Sequence, residues 1–169
     1  MPFWRTYYHL VWATHERLPL IQPNVEKRLY AYTIAKAAEL GVYVYAINGW
    51  HDHIHLVTAI PPKIAVSEVV KNLKGSSSHD LNQSGALNGS FGWQRGYGVF
   101  SLGEKQRTVA EMYVHNQKEH HQNQTLNGWL ERCDEVDEGP TSVGLSVDHV
   151  PPILKEQRAE YSALGETPF

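Results

Sequence analysis

The sequence is poor in cysteine and has no long apolar run. A single cysteine, Cys133, can build neither a disulfide framework nor a zinc site of several thiolates. No apolar stretch approaches the roughly 18 residues needed to cross a bilayer, and the first residues lack the apolar core of a signal peptide. We therefore expect a soluble, cytoplasmic protein with no membrane partner.

The sequence also lacks a large excess of charge of either sign, which at first argues against a nucleic-acid partner. Its 169 residues include 15 Lys or Arg and 18 Asp or Glu, giving a formal net charge of −3. The distribution is uneven, because residues 1–108 hold 11 basic and 7 acidic side chains whereas residues 109–169 hold 4 and 11. The first two thirds of the chain is mildly basic, as nucleic-acid binding favours.

The hydrophobic pattern of the first 120 or so residues predicts strands and helices joined by short connections. The predicted elements are a strand over 5–14, a helix over 23–40, strands over 42–48 and 53–60, a helix from Ser67 towards Ser78, a loop over 82–92, a strand over 97–102 and a helix from Thr108 to about His121. The first six strands and helices match the ferredoxin-like split βαβ plan. The predicted fold is therefore α+β, a four-stranded antiparallel sheet with helices on one face, followed by a C-terminal helix.

The pattern weakens after Trp129. An acidic run, 131–138, precedes Gly139-Pro140, and a short helix is predicted over 153–164. We divide the chain into a domain of residues 1–125 and an acidic C-terminal tail of residues 126–169. The tail could pack on the sheet, exchange with a partner or be loosely ordered, and its sequence leaves these alternatives open.

The most specific motif is His51-Asp52-His53-Ile54-His55, at the start of the predicted third strand. Alternate strand residues share a face about 7 Å apart, so two imidazoles at this spacing can bind one metal ion. The simpler interpretation is a set of polar side chains on a solvent-facing strand. Of the three histidines, His51 is the least certain ligand because it lies at the turn, and Asp52 is expected to be a turn residue or to orient a ligand.

A second motif lies on the last predicted helix. Tyr113 and Gln117 are four residues apart and so share one helix face. Taken alone, such a tyrosine is ordinarily a core residue and such a glutamine a solvated one. His120 and His121 follow at the end of the helix, where a positive charge complements the helix dipole.

These motifs occur in the order found in one known family. The matching segments are Tyr8 to Thr14, Asp52 to Val57, Trp93 to Phe100 and Tyr113 to His121, and together they span about residues 3–121. On these segments the sequence resembles the single-tyrosine HUH transposases of bacterial insertion sequences, the IS200-like transposases and the REP-associated tyrosine transposases. The fold of that family is the ferredoxin-like sheet that the pattern predicts.

The resemblance implies a role for each of four residues. His53 and His55 match the pair that holds a divalent metal, Tyr113 matches the catalytic nucleophile, and Gln117 matches a further metal ligand. Ligation by nitrogen and oxygen without thiolate is compatible with Mg²⁺ or Mn²⁺. The implied function is a metal-dependent strand transferase that cleaves and rejoins single-stranded DNA with hairpin ends through a 5′-phosphotyrosine intermediate. Family members often act as homodimers, which we expect here, with the active site assembled within one chain or between two.

Substrate binding is expected from basic and aromatic side chains. Basic candidates for phosphate contacts are Arg5, Arg17, Lys71, Lys74 and Arg95, with Lys105 and Arg107 as further ones, and Trp50, Trp93 and Tyr97 could stack on unpaired bases.

Two other functions remain open on the sequence. The first is a domesticated or inactive module that binds hairpin DNA without transposition. The second is a zinc metallohydrolase in which His51, His53 and His55 bind the ion and Tyr113 is only structural.

Overall fold

The structure is a computed structural model that describes residues 3–87 and 89–133. Its strands are β1 (Tyr7–Ala13), β2 (Tyr43–Gly49), β3 (His53–Ala59) and β4 (Gly98–Leu102). Its α-helices are α1 (Pro23–Glu39), α2 (Val66–Gln83), α3 (Glu104–His115) and α4 (Gln117–Asn123), and a 3₁₀ turn spans His15–Arg17. The predicted short helix over 153–164 lies outside the described residues. None of the helices in the described residues is long and apolar enough to span a membrane.

The four strands form one antiparallel sheet in the order β2-β3-β1-β4. This order and the α+β composition confirm the predicted ferredoxin-like plan. The sheet has a different partner on each face, because strand residues alternate between the faces. Leu10, Trp12, Ile54 and Leu56 pack with apolar residues of α1 and α2.

The opposite face of the sheet carries the histidines. Ala46 and Val57 there pack with Ala110 and Val114 of α3. His53 and His55 pair with Ala13 and Val11 of β1 in the register, so they lie on this second face. The last helices therefore cover the face that α1 and α2 leave open.

Two predicted helix boundaries differ from the structure. Helix α2 begins at Val66 rather than at a cap on Ser67, and it continues to Gln83 instead of ending near Ser78. The hydroxyl groups of Ser76, Ser77 and Ser78 donate to backbone carbonyls three or four residues earlier. The hydroxyls therefore have hydrogen-bond acceptors within the helix, and the three serines do not end it.

The predicted last helix, from Thr108 to about His121, is two helices. It begins at Glu104, where the side-chain carbonyl of Gln106 accepts a hydrogen bond from the Gly103 N–H. It breaks at Asn116, whose backbone angles (φ −91°, ψ 12°) are not helical. Tyr113 and Gln117 therefore lie on consecutive helices, α3 and α4, rather than on one.

Candidate active site

Side chains from four parts of the chain meet on the second face of the sheet. His53 and His55 come from β3, Tyr113 from α3 and Gln117 from α4. A fifth side chain, Glu131, comes from the segment that follows α4 (residues 124–133, here called the distal segment). All five lie in one chain, so a single copy assembles the whole group.

The two imidazoles point their outer nitrogens at one carboxylate oxygen. Nε2 of His53 lies 3.2 Å and Nε2 of His55 lies 3.1 Å from Oε2 of Glu131. The ligand atoms of these three residues all lie within 4.8 Å of one another, and they form a candidate metal site among the described residues. His51 is not part of it, because its Nδ1 lies 3.4 Å from the carbonyl oxygen of Ile21.

The inner nitrogens of both imidazoles have partners that fix the rings. Nδ1 of His53 lies 2.6 Å from Oδ1 of Asp52, and Asp52 in turn accepts a hydrogen bond from Arg17. Nδ1 of His55 lies 2.8 Å from Nε2 of His9, a fully buried residue of β1. A carboxylate behind a histidine holds the proton on the inner nitrogen and directs the outer lone pair towards a metal.

Burial and charge act in opposite directions on these imidazoles. Burial lowers the pKa of His9 to about 3 and also lowers the pKa of His55. Burial acts the same way on His53, but hydrogen bonds to Asp52 and Glu131 outweigh it, so the pKa of His53 is raised. Burial thus favours a neutral imidazole at His55, whereas the carboxylates beside His53 favour a proton on it.

Glu131 is ionised and holds the hydroxyl of Tyr113. Burial alone would raise the pKa of Glu131, but hydrogen bonds from His53, His55 and Tyr113 hold it well below its usual range. The Tyr113 hydroxyl donates to Oε1 of Glu131 at 2.5 Å and accepts from the backbone N–H of Asn127 at 3.1 Å. Burial and then the Glu131 contact raise the pKa of Tyr113 to about 12, so the hydroxyl is protonated at neutral pH.

Gln117 adds an unused oxygen to the group. Its side chain is fully buried, and its Nε2 donates to Oε1 of Glu131 at 3.3 Å. Its Oε1 has no hydrogen-bond partner among the described residues. A buried acceptor without a partner is costly, and a cation at this place would satisfy it. The donor set of two imidazole nitrogens with carboxylate and amide oxygens thus fits a divalent ion.

A cavity of about 490 Å³ opens beside this group. Trp50 and His121 form part of its wall, with their rings stacked at 4.9 Å between centroids. Nε2 of His121 lies 3.2 Å from Nε2 of His53, so His121 faces the site rather than only ending its helix. Arg17 also lines this cavity.

The other predicted DNA-binding residues do not form one group. Lys71, Lys74 and Arg95 line a second cavity, of about 370 Å³, together with Trp93 and Tyr97. Arg5 does not line it, and its Nε lies 3.5 Å from Oε2 of Glu104 at the start of α3.

Sequence reasoning missed Glu131, His9 and the site-facing position of His121. Glu131 begins an acidic run and has no neighbour in the sequence that distinguishes it from a solvated glutamate. For His9 the strand alternation offers one indication. It places His9 on the same face of β1 as Val11 and Ala13, the residues that pair with His55 and His53.

The comparisons with known proteins agree on one family. Residues 2–117 match a family model described as IS200-like transposase. The chain is 32% identical over 123 residues to the transposase for insertion sequence element IS200 of Salmonella typhimurium, covering 69% of this chain and 80% of the relative. It is 27% identical over 115 residues to the ISDra2 transposase TnpA of Deinococcus radiodurans, covering 65% of this chain and 82% of that relative.

The fold is also found in a solved structure. A REP-associated tyrosine transposase bound to a REP hairpin superposes with a TM-score of 0.55 at 14% identity, covering 72% of this chain and 74% of the other. At this identity the similarity concerns the fold alone.

Proposed function

Because the chain belongs to the IS200-like transposase family, whose members cleave and join DNA, we propose that it acts on single-stranded DNA with hairpin ends through a covalent phosphotyrosine intermediate. One observation carries the proposal. The Tyr113 hydroxyl and the outer nitrogens of His53 and His55 all contact the same carboxylate, so nucleophile and metal-binding imidazoles converge on one point. The choice of hairpin ends follows the resemblance of the sequence motifs to the REP-associated tyrosine transposases.

His53, His55 and Gln117 are the residues that would hold a divalent metal, Mg²⁺ or Mn²⁺. When bound, such an ion polarises the scissile phosphate and offsets the negative charge of Glu131, which otherwise keeps Tyr113 protonated. Asp52 and His9 hold the two rings from behind, and the backbone N–H of Asn127 fixes the Tyr113 oxygen.

The chemistry needs no energy source beyond the DNA itself. Oη of Tyr113 attacks phosphorus and forms the O–P bond while the bond from phosphorus to the 3′ oxygen breaks. The hydroxyl proton of Tyr113 is released to solvent, and the departing 3′ oxygen takes up a proton from solvent to become a 3′-hydroxyl. The phosphotyrosine keeps the phosphodiester energy, so a 3′-hydroxyl can later reverse the step on another strand.

The decisive test uses single-stranded DNA from the flanks of the gene, labelled at either end and incubated with Mn²⁺ or Mg²⁺. A 5′-phosphotyrosine retains the 3′ part of the strand, so only 3′-labelled DNA should migrate with the protein in a denaturing gel. Chelation of the metal before the DNA is added should prevent formation of the adduct. A protein that binds the hairpin but forms no adduct would instead be the binding module without transposition, and an adduct with 5′-labelled DNA would contradict the polarity.

We further propose that the second cavity binds the DNA backbone. Lys71 is exposed on α2 and Arg95 is exposed on the loop before β4. Lys74 lies between them, but its Nζ donates to the carbonyls of residues 94, 95 and 96 and so supports this loop. The nearby Trp93 and Tyr97 can stack on unpaired bases.

The double substitution Lys71→Ala with Arg95→Ala is expected to weaken DNA binding without affecting the fold. Each phosphate contact to a single strand contributes about 0.7 to the slope of log affinity against log salt concentration, so the slope should fall by roughly 1.4. Fluorescence anisotropy at several salt concentrations measures it. Lys27→Ala, at an exposed position of α1 outside this cavity, is the matched control. An unchanged slope in the double variant would place the DNA elsewhere.

The homodimer stays a prediction. Helix α3 offers a surface that supports it, because Val109 and Met112 are 68% and 61% exposed one turn apart. Apolar side chains at this spacing fit a second copy of the chain.

A further inference from the structure

Glu131 lies in contact with every element of the candidate active site. Its Oε2 faces both imidazoles, and its Oε1 accepts hydrogen bonds from Tyr113 and Gln117. We propose that Glu131 is itself a ligand of the divalent ion, so that its carboxylate joins the two imidazoles and the amide oxygen of Gln117. This inference rests on the metal dependence proposed above.

The position of Glu131 is fixed because the distal segment packs on the sheet. Cys133, two residues further on, is 1% exposed and packs with Val11 and Ala13 of β1 and with Phe100 of β4. The side-chain amide of Gln94 donates to the carbonyl of Cys133 at 2.5 Å.

A glycine of β4 allows this close packing. A Cβ at Gly98 would lie 2.1 Å from the carbonyl oxygen of Arg132 and 2.7 Å from Cγ1 of Val11. Only a residue without a side chain lets the distal segment approach β4 so closely. The backbone next to Glu131 is therefore held against β4 and β1, and β1 pairs with β3, which carries His53 and His55.

The chemistry of the surroundings favours a cation next to this carboxylate. The Glu131 side chain is only 16% exposed. Two neutral imidazoles and an amide oxygen would leave both charges of a divalent ion uncompensated, whereas Glu131 balances one of them. A carboxylate also supplies the hard oxygen donor that Mg²⁺ and Mn²⁺ prefer.

The same contacts allow an alternative role for Glu131, which the experiment below distinguishes from metal ligation. Glu131 could occupy the metal position only in the metal-free protein and be displaced when the ion binds. Removing a ligand weakens metal binding, whereas removing a competitor strengthens it. The two roles therefore predict changes of opposite sign in the same measurement.

The test is isothermal titration calorimetry, in which Mn²⁺ is titrated into the metal-free full chain to measure its affinity. Glu131→Gln, which keeps the size and removes the charge, should bind Mn²⁺ at least about tenfold more weakly, since even groups that only orient a ligand contribute about 10- to 100-fold in affinity. Glu131→Asp keeps the carboxylate on a shorter side chain, so its Mn²⁺ affinity should lie between those of wild type and Glu131→Gln. Glu119→Gln, at an exposed glutamate of α4, is the control and should match wild type. Circular dichroism verifies that the variants are folded.

Unchanged or tighter Mn²⁺ binding by Glu131→Gln would overturn the inference. If His53→Ala still lost Mn²⁺ binding in that case, the metal-dependent function would stand without Glu131. Absence of Mn²⁺ binding by wild type would overturn both the inference and the metal dependence.

Discussion

Tyr113→Phe is expected to form no covalent adduct with DNA and to lose cleavage by roughly 10⁴-fold or more, the scale on which loss of a nucleophile reduces turnover. Phenylalanine keeps the ring, which stacks on His120 with centroids 4.8 Å apart, and removes only the hydroxyl oxygen. The lost hydrogen bonds are worth about 1.5–3 kcal/mol for the one to the charged Glu131 and about 0.5–1.5 kcal/mol for the one from Asn127, too little to account for such a loss through unfolding.

Denaturing gels with 3′-labelled DNA measure the adduct, and anisotropy under the same conditions verifies that the variant still binds DNA. Tyr43→Phe removes the hydroxyl of a tyrosine that is 61% exposed on β2 and should behave as wild type. An adduct that survives in Tyr113→Phe would require a different nucleophile and would refute the assignment.

The second large effect is expected at the imidazole pair. His53→Ala should weaken Mn²⁺ binding by at least about 100-fold and abolish cleavage, since it removes a ligand together with the Asp52 contact behind it. DNA binding through the second cavity should persist, because Lys71, Lys74 and Arg95 line a different cavity from His53.

Calorimetry with Mn²⁺ and anisotropy with hairpin DNA separate these two properties in one variant. His115→Ala is the matched control, because that histidine is exposed at the end of α3 and its side chain is not part of the site. If His53→Ala kept full Mn²⁺ affinity, the ion would bind elsewhere.

Short-range patterns predicted much of the fold and part of the site. The alternation of apolar and polar residues in β3 places His53 and His55 on the face opposite Ile54 and Leu56, and the structure has them so. The four-residue spacing of Tyr113 and Gln117 brings them to the same place, although the break at Asn116 puts them on two helices.

The contacts that could not be predicted join residues far apart in the sequence. Glu131 is 76 residues from His55, and nothing local marks it. Its position depends on a close approach at Gly98 and on the burial of Cys133, which only the folded chain reveals. The pairing of Arg5 with Glu104 could not be predicted either, and Arg5 does not line the cavity of Lys71 and Arg95.

In the buried hydrogen bond between His9 and His55, either imidazole can be the donor. In the metal-free protein Nε2 of His55 faces a carboxylate and must carry its proton, so the hydrogen bond runs from His9 to His55. If that Nε2 coordinated the proposed ion, the proton of His55 would lie on its inner nitrogen, and the hydrogen bond would run from His55 to His9. The proton of His9 would then lie on its Nδ1, which has no acceptor among the described residues. Metal binding would thus reverse the direction of a buried hydrogen bond between β1 and β3, behind the ligands.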